Sequence, residues 1–385
     1  MTAFKIFSTN RSNDPIVIGD GFPKIVAIVG ITESHKQSIS EELKKCEIAN
    51  EFGASMVADV STDGDISKFY NIFKNSVGIP LSTVPIYEIR KVGLEKGYWP
   101  NNISKEFILD IISEQIDRGV GCMTFHTSMN RSMAFEAIES NRKIKLQSRG
   151  GGLMYEYMKA NSKENFFVEY LEDILKLLNA NSITFSVGSS FRPGTIADLP
   201  DYFMLNELLL NCNILDYMKK QGINCMMEIG SHHRYNSIYP YVKYLKSQFY
   251  DVPLRLLGPI GTEKGLGYDH ITGAISAVPA IQAGLDVITC VTRSEHIGRP
   301  DANDIRESLV AMRIAIELAL QSDQPSQKND INFSCGLGFE SFKPEDLIDL
   351  ERALELKREK NDGNLNGCNM CKESCRMVTK GISNE

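Results

Sequence analysis

The sequence has little positive charge and no long apolar run. Its 42 Lys and Arg residues are outnumbered by 49 Asp and Glu residues, which gives a formal net charge of -7. Since nucleic-acid phosphates are bound by basic surfaces, this balance argues against a nucleic-acid-binding protein. No apolar stretch approaches the roughly 20 residues that span a bilayer, and residues 1–13 lack the apolar core of a secretion signal. The sequence therefore predicts a cytoplasmic protein with no nucleic-acid or membrane partner.

The nine cysteines of such a protein indicate thiols or metal ligands before disulfides. Three of them, Cys368, Cys371 and Cys375, form a C-x2-C-x3-C motif. A structural zinc site takes four protein ligands, whereas three cysteines on a [4Fe–4S] cluster leave one iron open for a substrate. The spacing favours the cluster. A zinc knuckle completed by a distant residue and three incidental thiols remain as alternatives.

Short apolar runs alternate with amphipathic segments through most of the chain. This alternation predicts parallel strands joined by helical crossovers, in a closed (β/α)8 barrel or an open doubly wound sheet. Periodicity predicts helices over Ser38–Phe52, Ser104–Arg118 and Asn303–Leu320. The predicted strands are Ile25–Val29, Met56–Val60, Leu81–Tyr87, Cys122–Thr127, Ile183–Val187, Cys225–Ile229, Leu254–Leu257 and Val287–Val291.

Polar residues at the ends of the predicted strands favour the barrel. Tyr87, His126, Ser189, Glu228 and Glu295 come at or just after the apolar part of five different runs. In a barrel all such ends meet at one mouth, whereas in an open sheet only those near the switch point meet. We therefore predict an α/β protein with a (β/α)8 TIM-type barrel over residues 1–300, a C-terminal helical segment over 301–360 and a flexible tail with the cysteine motif over 361–385.

Two further groups of residues suggest ligand sites at that mouth. Four of the six histidines lie between His232 and His296, and imidazoles on neighbouring loops could hold a divalent ion. The segment Ser148–Gly152 and a second loop with Arg192 offer backbone N–H groups, a hydroxyl and guanidinium groups that could cradle a phosphate. Hydrogen-bonded loop histidines and plain glycine turns are the alternatives.

Several of these motifs occur together, in one order along the chain. They are Val57–Ile66, Thr83–Tyr87, Met123–His126, Ser148–Gly151, Phe185–Gly188, Arg192–Asp198, Leu257–Pro259, Gly267–Ile275 and Ser294–Gly298. Taken together they resemble the phosphomethylpyrimidine synthase family of radical S-adenosylmethionine enzymes. The resemblance extends from about Ile25 to Met377, which is too much of the chain for mere kinship between barrels.

The resemblance implies a carbon–carbon lyase that rearranges aminoimidazole ribotide in thiamine pyrimidine biosynthesis. S-adenosylmethionine would bind at a [4Fe–4S] cluster held by Cys368, Cys371 and Cys375. An electron donor such as flavodoxin or ferredoxin would reduce the cluster. The family is also a homodimer, in which the cysteine tail of one chain reaches the active site of the other.

Roles for residues at the mouth follow from the same resemblance. His232 and His296 match the two histidines that hold the family's divalent metal, here zinc or iron. The matching catalytic residues are Glu228, Tyr87 and His126. The residues that match a site for the phosphorylated substrate are Ser148, Arg149, Gly150 and Arg192.

The chain departs from the family mainly around the expected substrate ring. The family's N-A-N-I-G is replaced by Val26–Gly30, so both substrate-facing amides are missing, and an expected Asp is Ser189. The cysteine tail is one residue shorter than the family's C-x2-C-x4-C. Three other positions also differ from the family pattern, namely Ala58, Ser231 and Thr289.

These departures favour a paralogue that keeps the radical machinery but acts on a related phosphorylated substrate. Each lost hydrogen bond to a ring is worth roughly 1–3 kcal/mol when its partner is left buried and unpaired. A hydroxybenzimidazole synthase-like enzyme is one alternative. A non-catalytic zinc-binding barrel protein, with the tail as a structural knuckle, is another.

Overall fold

The computed structural model describes residues 3–7, 15–32, 38–198, 201–249, 251–321 and 347–360. The chain divides into two compact units, Met1–Ala319 and Leu320–Glu385. In the described part of the second unit, residues Leu350–Lys360 form an amphipathic helix. The three cysteines of the tail, Cys368, Cys371 and Cys375, lie outside the described residues, so the predicted division of the chain at residues 300 and 360 stays a prediction.

Eight parallel strands of the first unit close into a barrel, so the predicted (β/α)8 TIM-type fold is confirmed. Neighbouring strands follow chain order, and the last strand pairs with the first through Val287 opposite Lys24 and Thr289 opposite Val26. A two-stranded hairpin, β1 (Phe4–Ile6) and β2 (Ile16–Ile18), precedes the barrel. The barrel strands are β3 (Lys24–Val29), β4 (Met56–Asp59), β5 (Leu81–Thr83), β6 (Cys122–Phe125), β7 (Thr184–Val187), β8 (Cys225–Ile229), β9 (Leu254–Leu257) and β10 (Val287–Thr289).

Helices of the first unit surround the barrel, and two of them begin at residues with clear capping contacts. Ser38 caps the first helix, and its backbone N–H is bonded in return by Glu41. Ser104 caps the fourth helix through the Phe107 N–H. The helices are α1 (Ile39–Glu51), α2 (Ile66–Ser76), α3 (Pro85–Glu95), α4 (Lys105–Asp117), α5 (Arg131–Glu139), α6 (Arg149–Asn161), α7 (Phe166–Glu169), α8 (Leu171–Ala180), α9 (Tyr202–Lys220), α10 (Tyr235–Gln248), α11 (Asp269–Gln282), α12 (Ala302–Gln321) and α13 (Leu350–Lys360).

The strand predicted over Leu81–Tyr87 is shorter than expected. Strand β5 ends at Thr83, and α3 begins at Pro85. Proline has no N–H to give to a neighbouring strand, and its fixed φ suits the first position of a helix. Tyr87 therefore lies in the first turn of α3, where it still faces the end of the barrel because the preceding connection is so short.

The hairpin covers the N-terminal end of the barrel. Its Ile6 and Ile18 are fully buried in one apolar cluster with the inward-facing residues Val26, Met56, Ala58, Cys122, Met226 and Val287, most of which lie near the starts of their strands. The backbone at Phe7 comes so close to Gly121 that a side chain at position 121 would overlap the Phe7 carbonyl. This end of the barrel is thus sealed by apolar packing, and ligand access is left to the opposite end.

None of the helices in the described ranges combines the length and the apolar character needed to cross a membrane.

The hairpin seal predicts a large loss of stability from a small truncation. Ile18→Ala should lower the free energy of unfolding by about 2–5 kcal/mol, because it removes a fully buried side chain and leaves a cavity. The same substitution at Ile314, which is 46% exposed on α12, should change it by no more than about 0.5 kcal/mol. Urea unfolding followed by circular dichroism measures both, and equal losses at the two positions would contradict the seal.

Candidate active site

The predicted site residues meet at the C-terminal end of the barrel, called the mouth below. In parallel barrels the carboxyl ends of all strands point to this one side. The Arg149 guanidinium lies 5.7 Å from the centre of the Tyr87 ring and donates to the Val60 carbonyl oxygen at 3.3 Å. The predicted catalytic and substrate-binding residues Tyr87, His126, Ser148, Arg149, Gly150, Arg192 and Glu228 are all brought to this region.

His126 and the start of α6 form one hydrogen-bonded unit. The Ser148 hydroxyl caps α6 by accepting from the Gly151 N–H at 3.1 Å, and it forms a short hydrogen bond with Nε2 of His126. A side chain at position 150 would overlap the His126 ring, so glycine is required there. Burial, with a smaller contribution from Arg192, lowers the pKa of His126 to about 3. The imidazole is therefore neutral at physiological pH.

The first turn of α6 lies at the mouth, where the dipole of the helix favours negative charge. Its N–H groups already have partners within the protein: Gly151 donates to the Ser148 hydroxyl and Gly152 to the Ser148 carbonyl oxygen. The Gly150 N–H is directed at the Tyr87 hydroxyl. Arg149 belongs to the same turn, so its charge and the backbone groups act on the same region of the mouth.

Arg192 is held by a loop that is anchored from below by a buried carboxylate. The Glu207 side chain of α9 accepts from the Ser189 hydroxyl at 2.8 Å, from the Phe191 N–H at 3.0 Å and from the Ser190 N–H through a short bond. Arg192 in turn donates to the Ser189 carbonyl oxygen at 2.5 Å. Burial raises the pKa of Glu207, while these bonds counter that rise. Glu207 was not among the predicted site residues, because the sequence shows it only as one acid on the apolar face of a helix.

An ion pair forms the floor of the mouth inside the barrel. Glu228 on β8 and Arg255 on β9 are 5% and 3% exposed, and Glu228 Oε1 lies 3.2 Å from Arg255 Nη1. Burial raises the pKa of Tyr87 and Glu228 adds to this rise, whereas Arg149 opposes it. Arg255 was not predicted either. It could have been recognised as a charged residue at an inward position of the otherwise apolar run Leu254–Leu257.

The two predicted metal ligands, His232 and His296, are adjacent in the structure. Their ring centres are 5.8 Å apart. Two imidazoles on one ion can be at most about 6.5 Å apart by this measure, because each ring nitrogen lies about 2.1 Å from zinc. Nδ1 of His232 lies 3.4 Å from Glu263 Oε1, and Nδ1 of His296 lies 3.2 Å from Asp269 Oδ1.

The chemistry of these contacts fits a pair of metal-binding histidines. A carboxylate beside Nδ1 favours the tautomer in which Nε2 is free to bind an ion. Asp269 Oδ2 is buried and has no hydrogen-bond partner among the described residues, so the carboxylate beside His296 keeps a spare acceptor oxygen. Within the described ranges, however, no group of three or more potential ligands surrounds one point. The remaining ligands of an ion would come from solvent, substrate or residues outside those ranges.

A cavity of about 470 Å³ opens beside the mouth, next to the histidine pair. Its volume suits a small-molecule ligand. One wall is held by the buried carboxylate of Glu42, which accepts from the Gly30 N–H at 2.9 Å, from Lys45 at 2.7 Å and from Arg299 at 2.7 Å. Arg149 and His296 also line this cavity, so it is continuous with the residues described above.

Comparison with solved structures finds dihydropteroate synthases. The enzyme from Coxiella burnetii in complex with pteroic acid matches with a TM-score of 0.49 and 10% sequence identity, covering 83% of this chain and 100% of that chain. The enzyme from Vibrio fischeri matches with a TM-score of 0.47 and 10% identity, covering 84% of this chain and 100% of that chain.

Comparison of sequences finds much closer relatives. The phosphomethylpyrimidine synthase of Campylobacter jejuni is 32% identical over 382 residues, which is 96% of this chain and 86% of the relative. That of Carboxydothermus hydrogenoformans is 31% identical over 377 residues, or 96% of this chain and 87% of the relative. The family profile described as the Radical SAM ThiC family matches residues 4–381. The predicted resemblance is thereby confirmed, and the chain belongs to the Radical SAM ThiC family, whose relatives include the phosphomethylpyrimidine synthases.

Proposed function

We propose that this protein is a radical S-adenosylmethionine carbon–carbon lyase of thiamine pyrimidine biosynthesis. Its substrate is aminoimidazole ribotide or a closely related phosphorylated heterocycle. The observation that carries this proposal is the meeting of the α6 N-terminus, Arg149 and Arg192 beside the neutral His126 at one barrel mouth. This arrangement supports the binding of a phosphorylated small molecule, and membership of the family supports radical chemistry.

The cysteines Cys368, Cys371 and Cys375 would hold three irons of a [4Fe–4S] cluster. The fourth iron would be open to S-adenosylmethionine. After reduction by a flavodoxin- or ferredoxin-type donor, the cluster would supply the one electron that splits S-adenosylmethionine into methionine and the 5′-deoxyadenosyl radical, which removes a hydrogen atom from the substrate. The chain's contribution at the mouth is to hold the substrate in place and to keep water away from it. A fixed geometry of this kind lowers the entropic part of a barrier.

Arg149 and Arg192 bind the phosphate of the substrate, and the positive end of the α6 dipole adds to their attraction. The ring then lies over the floor of the mouth, within reach of Tyr87, His126 and Glu228. The neutral His126 already shares its Nε2 with the Ser148 hydroxyl, so it orients Ser148 and the helix start. Tyr87, with a raised pKa, keeps its hydroxyl proton and can donate it in a hydrogen bond.

His232 and His296 would bind a divalent ion, zinc or iron, through Nε2, with Glu263 and Asp269 orienting the two rings. Such an ion would polarise an oxygen or nitrogen ligand as a Lewis acid. His296 and Arg149 line the same cavity. The ion and the phosphate would therefore bind close to each other, on one ligand.

A homodimer is also part of this proposal. Tyr202, Leu205 and Leu209 are spaced along one side of α9 and are 61%, 52% and 64% exposed. Residues at this spacing share one helix face, and a contiguous apolar face of this kind is typical of a protein–protein contact. A second copy of the chain is the occupant that the family resemblance implies.

The cysteine motif gives the first test of the radical chemistry. After anaerobic reconstitution with iron and sulfide, then dithionite and S-adenosylmethionine, the wild-type protein should form 5′-deoxyadenosine, measured by mass spectrometry. Cys371→Ala should form none, because a cluster held by two cysteines loses its fixed open iron. The control is Cys225→Ala at the start of β8, which removes a buried thiol at the N-terminal end of the barrel and should leave product formation unchanged. A colourless wild-type protein that binds only zinc would instead support the non-catalytic zinc-binding barrel.

The phosphate site gives a second test. Arg192→Met should weaken binding of aminoimidazole ribotide roughly 10- to 100-fold, because one charge-assisted interaction is lost. Binding of the dephosphorylated nucleoside should stay the same. Isothermal titration calorimetry measures both dissociation constants, and Arg234→Met, at an exposed position after β8, is the control. Equal losses for ribotide and nucleoside would show that Arg192 does not bind the phosphate.

A further inference from the structure

The inward-facing residues divide the barrel interior into an apolar side and a polar side. On β3 and β4 the inward positions are apolar, with Val26 paired to Met56 and Ile28 paired to Ala58. On β6 to β10 the inward positions nearest the mouth carry hydroxyls and charges. This polar set comprises Thr124, Ser186, Glu228, Arg255 and Thr289, all of which are buried. Inside the barrel, a ligand ring at the mouth therefore meets hydrogen-bonding groups from the strands on one side only.

The contacts of Glu228 all use one oxygen of its carboxylate. Oε1 accepts from the Thr124 hydroxyl at 3.1 Å and from the Ser186 hydroxyl at 3.5 Å, and it lies 3.2 Å from Arg255 Nη1. Arg255 is fixed on its other side, because its Nε donates to the Thr289 hydroxyl at 3.0 Å. Both side chains are therefore oriented by the protein before any ligand binds.

One atom of each group is left over, namely Glu228 Oε2 and Arg255 Nη2. Within the described part of the chain neither atom has a hydrogen-bond partner, and neither is among the buried polar atoms that lack one. A polar atom that has no partner and is not fully buried faces open space. Because the hairpin closes the other end of the barrel, that space is the mouth. The floor thus offers a ligand one acceptor, on Glu228, and one donor, on the neighbouring Arg255.

This acceptor–donor pair discriminates between possible ring edges. A lone amino group can donate to Glu228 but leaves the guanidinium N–H without an acceptor, which is costly in a buried site. A carboxylate can accept from Arg255 but is repelled by Glu228. A carboxamide or a lactam presents a donor next to an acceptor and can satisfy both atoms with two parallel, charge-assisted hydrogen bonds.

We propose that the Glu228–Arg255 pair makes this site specific for a phosphorylated heterocycle that carries a carboxamide or lactam edge. The inference rests on the proposed function, because the phosphate bound by Arg149 and Arg192 is what brings the ring to the floor. Ile28 and Ala58 add to this specificity, because a polar group on the opposite edge of the ligand ring would find no hydrogen-bond partner there. Arg255 is a specificity-determining residue in this scheme.

The test compares three probes on the full-length, reconstituted holoenzyme by isothermal titration calorimetry. They are aminoimidazole ribotide, the same ribotide with a carboxamide next to its amino group, and the dephosphorylated nucleoside of that carboxamide. The wild type should bind the carboxamide ribotide on the order of 10- to 100-fold more tightly than aminoimidazole ribotide, because of the added charge-assisted bonds.

Two variants of the pair remove that preference in different ways. The double variant Glu228→Gln with Arg255→Met takes away both charges together, which avoids leaving one buried charge alone. The ratio of the two ribotide dissociation constants should fall to within about threefold of unity. Arg255→Lys keeps a positive charge beside Glu228 but has no second fork nitrogen, so it should lower the ratio while leaving the fold intact.

A buried ion pair elsewhere in the barrel provides the matched control. Lys246 and Asp286 are 2.7 Å apart at the N-terminal end of β10, away from the mouth. The double variant Lys246→Met with Asp286→Asn should affect stability but keep the wild-type ratio. If the control variant also lost the preference for the carboxamide ribotide, the inference would be overturned, because the preference would then depend on general stability.

The remaining outcomes separate this inference from the proposed function. Equal binding of the two ribotides by the wild type, or tighter binding of aminoimidazole ribotide, would overturn the inference and leave the phosphate site standing. Binding of the ribotide no tighter than that of its nucleoside would mean that the proposed phosphate site is wrong, and the inference would fall with it.

Discussion

Closure of the barrel is the constraint on which the rest of the structure depends. Strand β10 pairs with β3, and this pairing joins the last of the eight strands to the first. Because all eight strands are parallel, closure brings the residues after every strand to the same end. His126, Arg192 and His296 are far apart in sequence and meet only for this reason. The hairpin at the other end supports closure by filling the barrel interior with Ile6 and Ile18.

The buried charges around the mouth follow one electrostatic rule. Burying a charge is costly unless it is paired and hydrogen-bonded. Glu207 meets this condition through hydroxyl and N–H donors of a single loop, and Glu228 meets it through Arg255 and two hydroxyls. Both carboxylates are thus compensated by the protein itself. Arg149 and Arg192 supply the positive charge that the proposed phosphate site would use.

The departures from the family pattern acquire a structural meaning at the same mouth. Ser189, where the family has an acid, gives its hydroxyl to Glu207, so this position now anchors the loop of Arg192. Thr289, where the family has a cysteine, accepts from Arg255. Ile28 and Ala58 make one side of the interior apolar. Ser189 and Thr289 thus help to hold the two arginines of the mouth, Arg192 and Arg255.

The sequence by itself determined the order of strands and helices, the barrel, and most residues of the mouth, because apolar periodicity and strand-end polar residues are local signals. The strand predicted at β5 was too long, because a helix starts at Pro85. The tertiary structure alone decided which charges are paired. Glu207, Arg255 and Glu42 were not predicted because each has partners on other elements; Glu42, for example, binds Arg299, which is 257 residues away. Such contacts depend on strand register and stagger around the closed barrel, and these are fixed only when the whole chain packs.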